Sequence, residues 1–356
     1  MQVLRRSFFA CCVFLLLCPA CQVDINTDDE DRPPPKVVED YQDGVFIANI
    51  GNLQNASGGS ISFYSRSTDT VVNQIYQLAN GGEVLGGGVR SIVFSGDYAY
   101  ILAEADNVVR VVDADNFELV KTIEGFQRPR QLLLVNPSKA YVSQWGQDGI
   151  SGSIEVIDLA NNSRVKNIPT RPGPERMIKT GTHVYVANMG GVAIDSVLTK
   201  ISMATDQVLQ TIEVGLAPHS MGVDQNNALW AICGGLGLGA DAREGRLVRI
   251  VNDEVHFSVA TATGAANLVM HPNGQQFFFT MDNWVFAMGI EDINLPLAPF
   301  LARSYTGLGI DPDTEYLIGC NAKNQISPGQ VDFFSLTGEE QGSFPTGIFP
   351  DGLSYQ

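Results

Sequence analysis

Polar residues recur at the start of successive apolar segments of this chain, often directly after a proline such as Pro129, Pro218 or Pro350. The set is Arg90, Arg130, Arg176, His219, Asn267, Thr306 and Asp351. Three arginines, a histidine and a carboxylate brought together can bind a polar or anionic group, either amide-rich or phosphate-bearing. The alternative, which stays open, is that these side chains satisfy loop carbonyls and one another.

The sequence shows no recognisable combination of catalytic residues. The sequence contains no GxSxG, Walker A or HExxH motif. Gly234–Gly239 reads GGLGLG, which resembles a dinucleotide-binding loop, but Arg246–Val251 then predicts a strand where that motif requires a helix. The four histidines are scattered, so a metal site is not predicted either. We therefore expect no enzyme activity, no metal and no cofactor.

The elements that must position the polar residues are short, aromatic-rich strands that occur seven times. Their marker residues are Phe46, Tyr100, Tyr141, Tyr185, Trp230, Phe278 and Leu317, spaced 39 to 54 residues apart. A period of roughly 40–45 residues with no helical pattern inside it is typical of β-propeller blades. The sequence predicts an all-β fold, a seven-bladed β-propeller with four-stranded blades.

The two ends of the chain complement each other. The first repeat starts in its second strand at Val45, continues through Ser60–Ser65 and Val71–Leu78, and has no inner strand. Pro350–Gln356, at the end of the chain, matches the start of an inner strand such as Pro218–Val223. We expect the C-terminal strand to complete the first blade and close the ring, which removes an exposed sheet edge.

Alternating strand directions sort the loops onto two faces. The loops between second and third strands are long and glycine-rich: Asn49–Gly59, Gln144–Gly152, Asn188–Val197, Gly234–Gly245 and Asn321–Gly329. Long loops on one face of a rigid scaffold usually carry binding sites, although loop variability without function is the alternative. We expect a ligand pocket where the channel opens on this face, with tryptophan supplying flat apolar area. Its predicted lining is Arg90, Arg130, Trp145, Arg176, His219, Asn267, Trp284 and Asp351.

Residues 1–21 have the pattern of a bacterial secretory signal, in which two arginines precede the apolar stretch Phe8–Leu17. They resemble a lipoprotein signal whose Cys21 is lipidated after cleavage, although Cys18 stands where an aliphatic residue is usual. An ordinary secretory signal is the alternative. Residues 22–40 combine an acidic run with prolines and predict an extended tether. The propeller is expected to span residues 41–356.

Charge and cysteine content exclude several classes of protein. Without Arg5 and Arg6 the mature chain carries 20 basic and 39 acidic residues, a net charge of −19. This balance argues against binding to nucleic acid and against electrostatic docking to anionic lipid, which both need a basic surface. Only Cys233 and Cys320 lie in the predicted propeller, in different blades, so both are expected to be buried thiols.

Several segments resemble known families. Val184–Asn188 reads VYVAN and resembles YVTN-repeat propellers. Over roughly residues 41–356 the chain also resembles surface lipoprotein propellers of Bacteroidetes-type bacteria that carry the domain of unknown function 5074. The similar segments are Asp43–Ile47, Gly59–Tyr64, Leu229–Gly234, Leu295–Phe300 and Gly307–Pro312. The acidic run after Cys21 resembles the export signal of such lipoproteins, which implies an outer-membrane lipoprotein exposed at the cell surface; a periplasm-facing spacer is the alternative.

The resemblance also implies a function. Its group includes proteins that capture cobalamin at the cell surface and pass it to a TonB-dependent outer-membrane transporter. It therefore implies a small-molecule ligand, a corrinoid first, together with such a transporter as partner and a lipid anchor in the membrane. One alternative is a protein-interaction scaffold that caps a transporter without touching its substrate. A periplasmic redox or hydrolytic propeller enzyme is the third class, disfavoured because no catalytic set is present.

Overall fold

The computed structural model describes residues 41–237 and 242–356. The predicted signal sequence, the lipidation of Cys21 and the tether over residues 22–40 lie outside the described residues. Within the described ranges, 27 strands form seven antiparallel sheets arranged as propeller blades around a central channel. The predicted all-β, seven-bladed fold is confirmed.

Each blade begins with an inner strand beside the channel and ends with a strand at the outer surface. Blade 1 contains, in that order, β27 (Pro350–Tyr355), β1 (Gly44–Asn49), β2 (Ser60–Ser65) and β3 (Thr70–Val72). Blade 2 contains β4 (Val89–Ser95), β5 (Tyr98–Ala103), β6 (Val108–Asp113) and β7 (Leu119–Ile123). Blade 3 contains β8 (Pro129–Asn136), β9 (Lys139–Gln144), β10 (Ser153–Asp158) and β11 (Ser163–Pro169). Blade 4 contains β12 (Pro174–Thr180), β13 (His183–Asn188), β14 (Val197–Ser202) and β15 (Gln207–Glu213).

The remaining blades follow the same order. Blade 5 contains β16 (Pro218–Val223), β17 (Leu229–Cys233), β18 (Gly245–Val251) and β19 (Glu254–Thr261). Blade 6 contains β20 (Ala266–Met270), β21 (Gln276–Met281) and β22 (Trp284–Gly289). Blade 7 contains β23 (Gly307–Ile310), β24 (Leu317–Asn321), β25 (Pro328–Phe334) and β26 (Glu340–Ile348).

The C-terminal strand closes the ring, as predicted. Strand β27 pairs with β1 in antiparallel register, with Val45 opposite Tyr355 and Ile47 opposite Leu353. The side chains of Val45 and Ile47 pack in one apolar cluster with Ile318 of blade 7. The inner edge of β1 is therefore covered, and the first and last blades share a core.

Blade 6 departs from the regular pattern. Its fourth position holds an isolated bridge between Val285 and Leu301 instead of a full strand. The segment before Leu301 contains Pro296 and Pro299, which have no backbone N–H to donate to a ladder. A continuous outer strand is therefore not formed there.

The predicted fourth strand over Val71–Leu78 of the first repeat is wrong for most of its length. Strand β3 ends at Val72, and the chain continues as the short helix α1 (Ile75–Ala79). Ile75 and Tyr76 are both fully buried, which suits a helix because a strand would direct consecutive side chains to opposite faces. No helix of the described residues is long and apolar enough to cross a membrane.

Neighbouring blades are joined on the short-turn face by tyrosines of the second strands. Tyr100 donates a hydrogen bond to Asn162 Oδ1 at 2.8 Å, and Tyr185 donates to Asp253 Oδ1 at 2.6 Å. Tyr141 donates in the same way to Asp206. Each acceptor belongs to the turn between the third and fourth strands of the next blade. The ring that carries the site is therefore fastened by side chains as well as by apolar packing.

Candidate functional site

Six of the inner strands within the described residues carry a β-bulge where they begin on the long-loop face. A bulge inserts a residue without a ladder partner and redirects its side chain. The bulged positions hold Arg90, Arg130, Glu175, His219, Asn267 and Asp351. The regular spacing of polar residues in the sequence therefore reflects a repeated bulge around the mouth of the channel.

Two glutamates that the sequence did not predict neutralise the arginines at this mouth. Glu175 accepts from Arg130 Nε at 2.8 Å and from Nη2 at 2.9 Å. Glu104 accepts from Arg130 Nη1 at 2.5 Å and also pairs with Arg90. Glu175 follows Pro174 as Arg130 follows Pro129, so alignment on the prolines would have placed this glutamate, rather than Arg176, in the ring.

Trp145 completes this cluster. Its Nε1 donates to Glu175 Oε2 at 3.0 Å, and the guanidinium carbon of Arg130 lies 4.3 Å from the centre of its ring. Burial alone would raise the pKa of Glu175, but the charge and hydrogen bonds of Arg130 outweigh burial and lower it. Glu175 is therefore ionised at neutral pH and holds both neighbours in place.

The other predicted residues of the ring are less tightly paired. Arg176 Nη2 lies 3.9 Å from Asp351 Oδ2. His219 Nδ1 is buried without a hydrogen-bond partner among the described residues. Burial, and next the charge of Arg176, lower the pKa of His219 to about 4, so this histidine is neutral at pH 7. Three arginines therefore face three carboxylates at the mouth of the channel. Most of the polar side chains of the ring are thus paired with one another, as the alternative interpretation of the sequence expected.

Two cavities lie inside the channel. One, of about 70 Å³, is lined by Arg90, Arg130, Glu175, Arg176 and Asp351 among others. The second, of about 250 Å³, shares Arg176 and Asp351 with the first and continues deeper between apolar side chains. Both are smaller than the roughly 300–1,000 Å³ of pockets that enclose drug-sized ligands.

A wider groove opens on the long-loop face beside blade 2. Its volume is about 290 Å³, and its lining is Asn52, Leu53, Ala56, Gly88, Arg90, Glu104, Ala105, Asn107 and Arg128. The guanidinium carbon of Arg128 lies 5.0 Å from the centre of the Trp145 ring. Within residues 41–237 and 242–356 no carboxylate oxygen forms an ion pair with Arg128. Arg128 was not among the predicted site residues; it directly precedes Pro129, the first residue of β8.

Exposed aliphatic side chains surround the same face. The long loops present an aliphatic rim that consists of Leu53, Ile150, Val192, Ile194 and Ile326. Two of these loops touch, because the backbone N–H of Val192 donates to the carbonyl of Gly149 at 3.2 Å. Apolar side chains held out on several neighbouring loops, with polar groups between them, are typical of interaction surfaces.

One predicted site residue, Trp284, lies apart from this arrangement. Trp284 opens β22, the third strand of blade 6, and is exposed away from both channel cavities and from the groove. A third strand is separated from the channel by two others, so Trp284 does not line the predicted pocket. Asn267 lies at the ring but donates to the carbonyl oxygen of Thr306 at 3.0 Å, which joins blades 6 and 7.

The two cysteines of the described residues lie where the sequence placed them, in blades 5 and 7. Cys233 and Cys320 are both buried free thiols. Burial raises the pKa of Cys233 to about 12 and raises that of Cys320 well above its usual value. Neither thiol is ionised at neutral pH, so both are packing residues.

Comparison with known proteins identifies the family and the fold. The model of the family described as "Domain of unknown function (DUF5074)" matches residues 43–258. No curated protein matches the sequence. A quinoprotein alcohol dehydrogenase-like protein from Bacteroides thetaiotaomicron superposes with a TM-score of 0.66 at 15% identity, covering 89% of this chain and 79% of that one.

Two further solved structures share the fold. A putative 6-phosphogluconolactonase from Bacteroides fragilis has a TM-score of 0.64 at 13% identity, covering 91% of this chain and 100% of that one. Hydrazine synthase from Kuenenia stuttgartiensis has a TM-score of 0.60 at 13% identity, covering 73% of this chain and 86% of that one. At such identities the similarity shows the fold alone, since one fold carries many functions.

Proposed function

This chain belongs to the DUF5074 family, and from its long-loop face we propose that it is a non-catalytic binding protein that captures a large amphipathic ligand, a corrinoid in the first place. The observation that carries the proposal is the groove beside Arg128, bordered by the aliphatic rim. A corrinoid presents a flat macrocycle, a fringe of amides and one phosphate. Guanidinium and amide groups suit the polar parts, while aliphatic and indole surfaces suit the macrocycle.

The position of the ligand follows from size and charge. The channel cavities of about 70 and 250 Å³ are too small to enclose a macrocycle, so the ligand lies across the long-loop face. Arg90 and Arg130 are already paired with Glu104 and Glu175. Arg128 is the arginine of the groove that remains available for a phosphate or an amide carbonyl.

The proposed setting is the bacterial cell surface. Cys21 is the proposed lipidated N-terminus, and residues 22–40 are the proposed tether that lets the propeller reach a TonB-dependent outer-membrane transporter. A binding protein that hands its ligand to a transporter needs a second contact surface around its ligand site. The aliphatic rim supplies such a surface.

A protein-interaction scaffold without a small ligand is the second candidate. The aliphatic rim favours it, because five exposed aliphatic side chains suit a protein partner as well as a macrocycle. The two candidates differ in the role of Arg128. Capture of a corrinoid needs its free guanidinium, whereas a scaffold needs the rim alone.

Titration of cyanocobalamin into the purified protein, followed by calorimetry, tests the proposal. We expect a dissociation constant of about 1 μM or tighter, corresponding to about −8 kcal/mol. Arg128→Gln should weaken binding at least about tenfold, since it removes a charge-assisted hydrogen bond. Arg303→Gln is the matched control, because Arg303 is half exposed in a surface ion pair with Glu340. Absence of binding, or equal loss in both variants, contradicts corrinoid capture.

A further inference from the structure

The larger channel cavity has the character of a binding site in its own right. Its volume of about 250 Å³ equals that of about eight water molecules at about 30 Å³ each. The end near the long-loop face carries Arg176, Asn267 and Asp351. Its walls include the apolar residues Met177, Met221, Leu268, Leu308 and Leu353, together with the polar residues Gln131 and Ser220. A charged end and an apolar body suit a small amphipathic molecule rather than bulk water.

The charged pair at this end is loose. Arg176 Nη2 and Asp351 Oδ2 are 3.9 Å apart, whereas Arg130 Nε lies 2.8 Å from Glu175. The Arg176 side chain is 36% exposed, against 10% for Arg130. In the described part of the chain, Arg176 has no closer carboxylate. Both members of the pair therefore keep hydrogen-bonding capacity that a ligand can use.

Charge balance decides the class of ligand. The mouth holds three arginines and three carboxylates, and His219 is neutral. An added anion or cation would leave an uncompensated charge in a partly buried channel, whereas a zwitterion would not.

We propose that this cavity binds a small α-amino acid with an apolar side chain. Its carboxylate is held by Arg176, its ammonium by Asp351, and its side chain by the apolar wall around Met221 and Leu308. This site is separate from the groove at Arg128, and it does not rest on the proposed capture of a corrinoid.

Calorimetric titration of the purified protein with L-leucine, L-methionine and L-phenylalanine tests the proposal. We expect at least one to bind with a dissociation constant of about 1 mM or tighter. Two analogues of leucine dissect the recognition: 4-methylpentanoate lacks the ammonium group, and 3-methylbutylamine lacks the carboxylate. Each should bind at least about tenfold more weakly than leucine. No saturable binding of any of the three amino acids, or equal binding of 4-methylpentanoate, overturns the proposal.

Variants locate the site. Arg176→Gln removes the proposed partner of the ligand carboxylate, so it should weaken leucine binding at least about tenfold. Leu308→Phe should abolish binding by filling the cavity. Arg303→Gln, on the outer surface, should bind as the unmodified protein does. Amino-acid binding that survives Leu308→Phe in a folded variant places the ligand elsewhere and overturns the assignment.

Discussion

Arg66 of the first blade and Asp311 of the last blade form a bidentate ion pair. Arg66 Nη2 lies 2.7 Å from Asp311 Oδ1, and Nε lies 2.9 Å from Oδ2. Arg66 Nη1 also donates to the backbone carbonyl of Gln356, the last residue of the chain, at 3.0 Å. A single arginine therefore holds the seventh blade and the C-terminal strand against the first blade.

Breaking this ion pair should destabilise the ring. The Asp311 side chain is almost fully buried, so Arg66→Gln leaves a buried carboxylate without its cation. Loss of one partner from a buried pair costs about 3–5 kcal/mol of unfolding free energy. Urea unfolding of Arg66→Gln and of the unmodified protein measures the difference, and a change below about 1 kcal/mol contradicts this role.

The same pair should make stability depend on pH. Burial would raise the pKa of Asp311, but hydrogen bonds from Arg66 and neighbouring groups outweigh burial and lower it. A carboxyl whose folded pKa is lowered adds stability above its unfolded pKa of about 3.9, and that stability is lost as the pH falls through the folded pKa. Unfolding free energy should therefore decline below about pH 4. Asp311→Asn should show a shallower decline, and equal slopes would contradict the assignment.

Removal of the C-terminal strand should open the propeller. A chain that ends at Phe349 lacks β27, so the inner edge of β1 loses its ladder partners. Exposed edges pair with other chains. We expect soluble aggregates by size-exclusion chromatography, whereas deletion of Gln356 alone should leave a monodisperse protein. A monodisperse, folded product ending at Phe349 would contradict closure by β27.

Glu175 should be needed to keep Arg130 in place. Glu175→Ala leaves the guanidinium with Glu104 alone and removes the acceptor of Trp145 Nε1. We expect a loss of about 3–5 kcal/mol in unfolding free energy. Glu340→Ala is the matched control, since its ion pair with Arg303 is half exposed and should contribute less than about 1 kcal/mol. Equal effects of the two substitutions would contradict a structural role for Glu175.

The proposed lipid anchor depends on one residue. Cys21→Ala should yield an unlipidated protein in the soluble fraction, because no other cysteine follows the predicted signal sequence closely. Mass spectrometry of the mature protein should show Cys21 as its modified first residue. A mature chain that retains Cys18 would contradict the assignment.

Much of the fold was predictable because blades repeat. The aromatic second strands marked seven blades, and the orphan strand at Pro350 indicated closure. The repeat period did not predict helix α1 or the incomplete outer strand of blade 6. Each depends on residues of one blade only: the burial of Ile75 in the first case and the prolines near Leu301 in the second. The spacing of the repeated strands therefore identifies the blades, but it does not predict the length of the outer strand in each blade.

The positions of several residues at the mouth of the channel were predictable, but the neutralisation of their charges was not. The sequence placed Arg90, Arg130 and Asp351 correctly at the mouth of the channel, where bulges redirect them. The compensation by Glu104 depends on contacts between blades, which spacing along the chain does not reveal. Trp284 was predicted to line the pocket, but it opens the third strand of blade 6. The sequence around a two-residue turn does not show how far the following residue lies from the central channel.

Comparison of the two faces of the propeller tests the central claim most directly. Leu53→Asp places a charge in the groove on the long-loop face, whereas Ile293→Asp makes the same kind of change in the segment that follows β22. Both side chains are exposed, so neither substitution should affect folding. The dissociation constant of cyanocobalamin should rise at least about tenfold, or about 1.4 kcal/mol, for Leu53→Asp and stay unchanged for Ile293→Asp. Unchanged binding by Leu53→Asp together with weaker binding by Ile293→Asp would contradict a ligand site on the long-loop face.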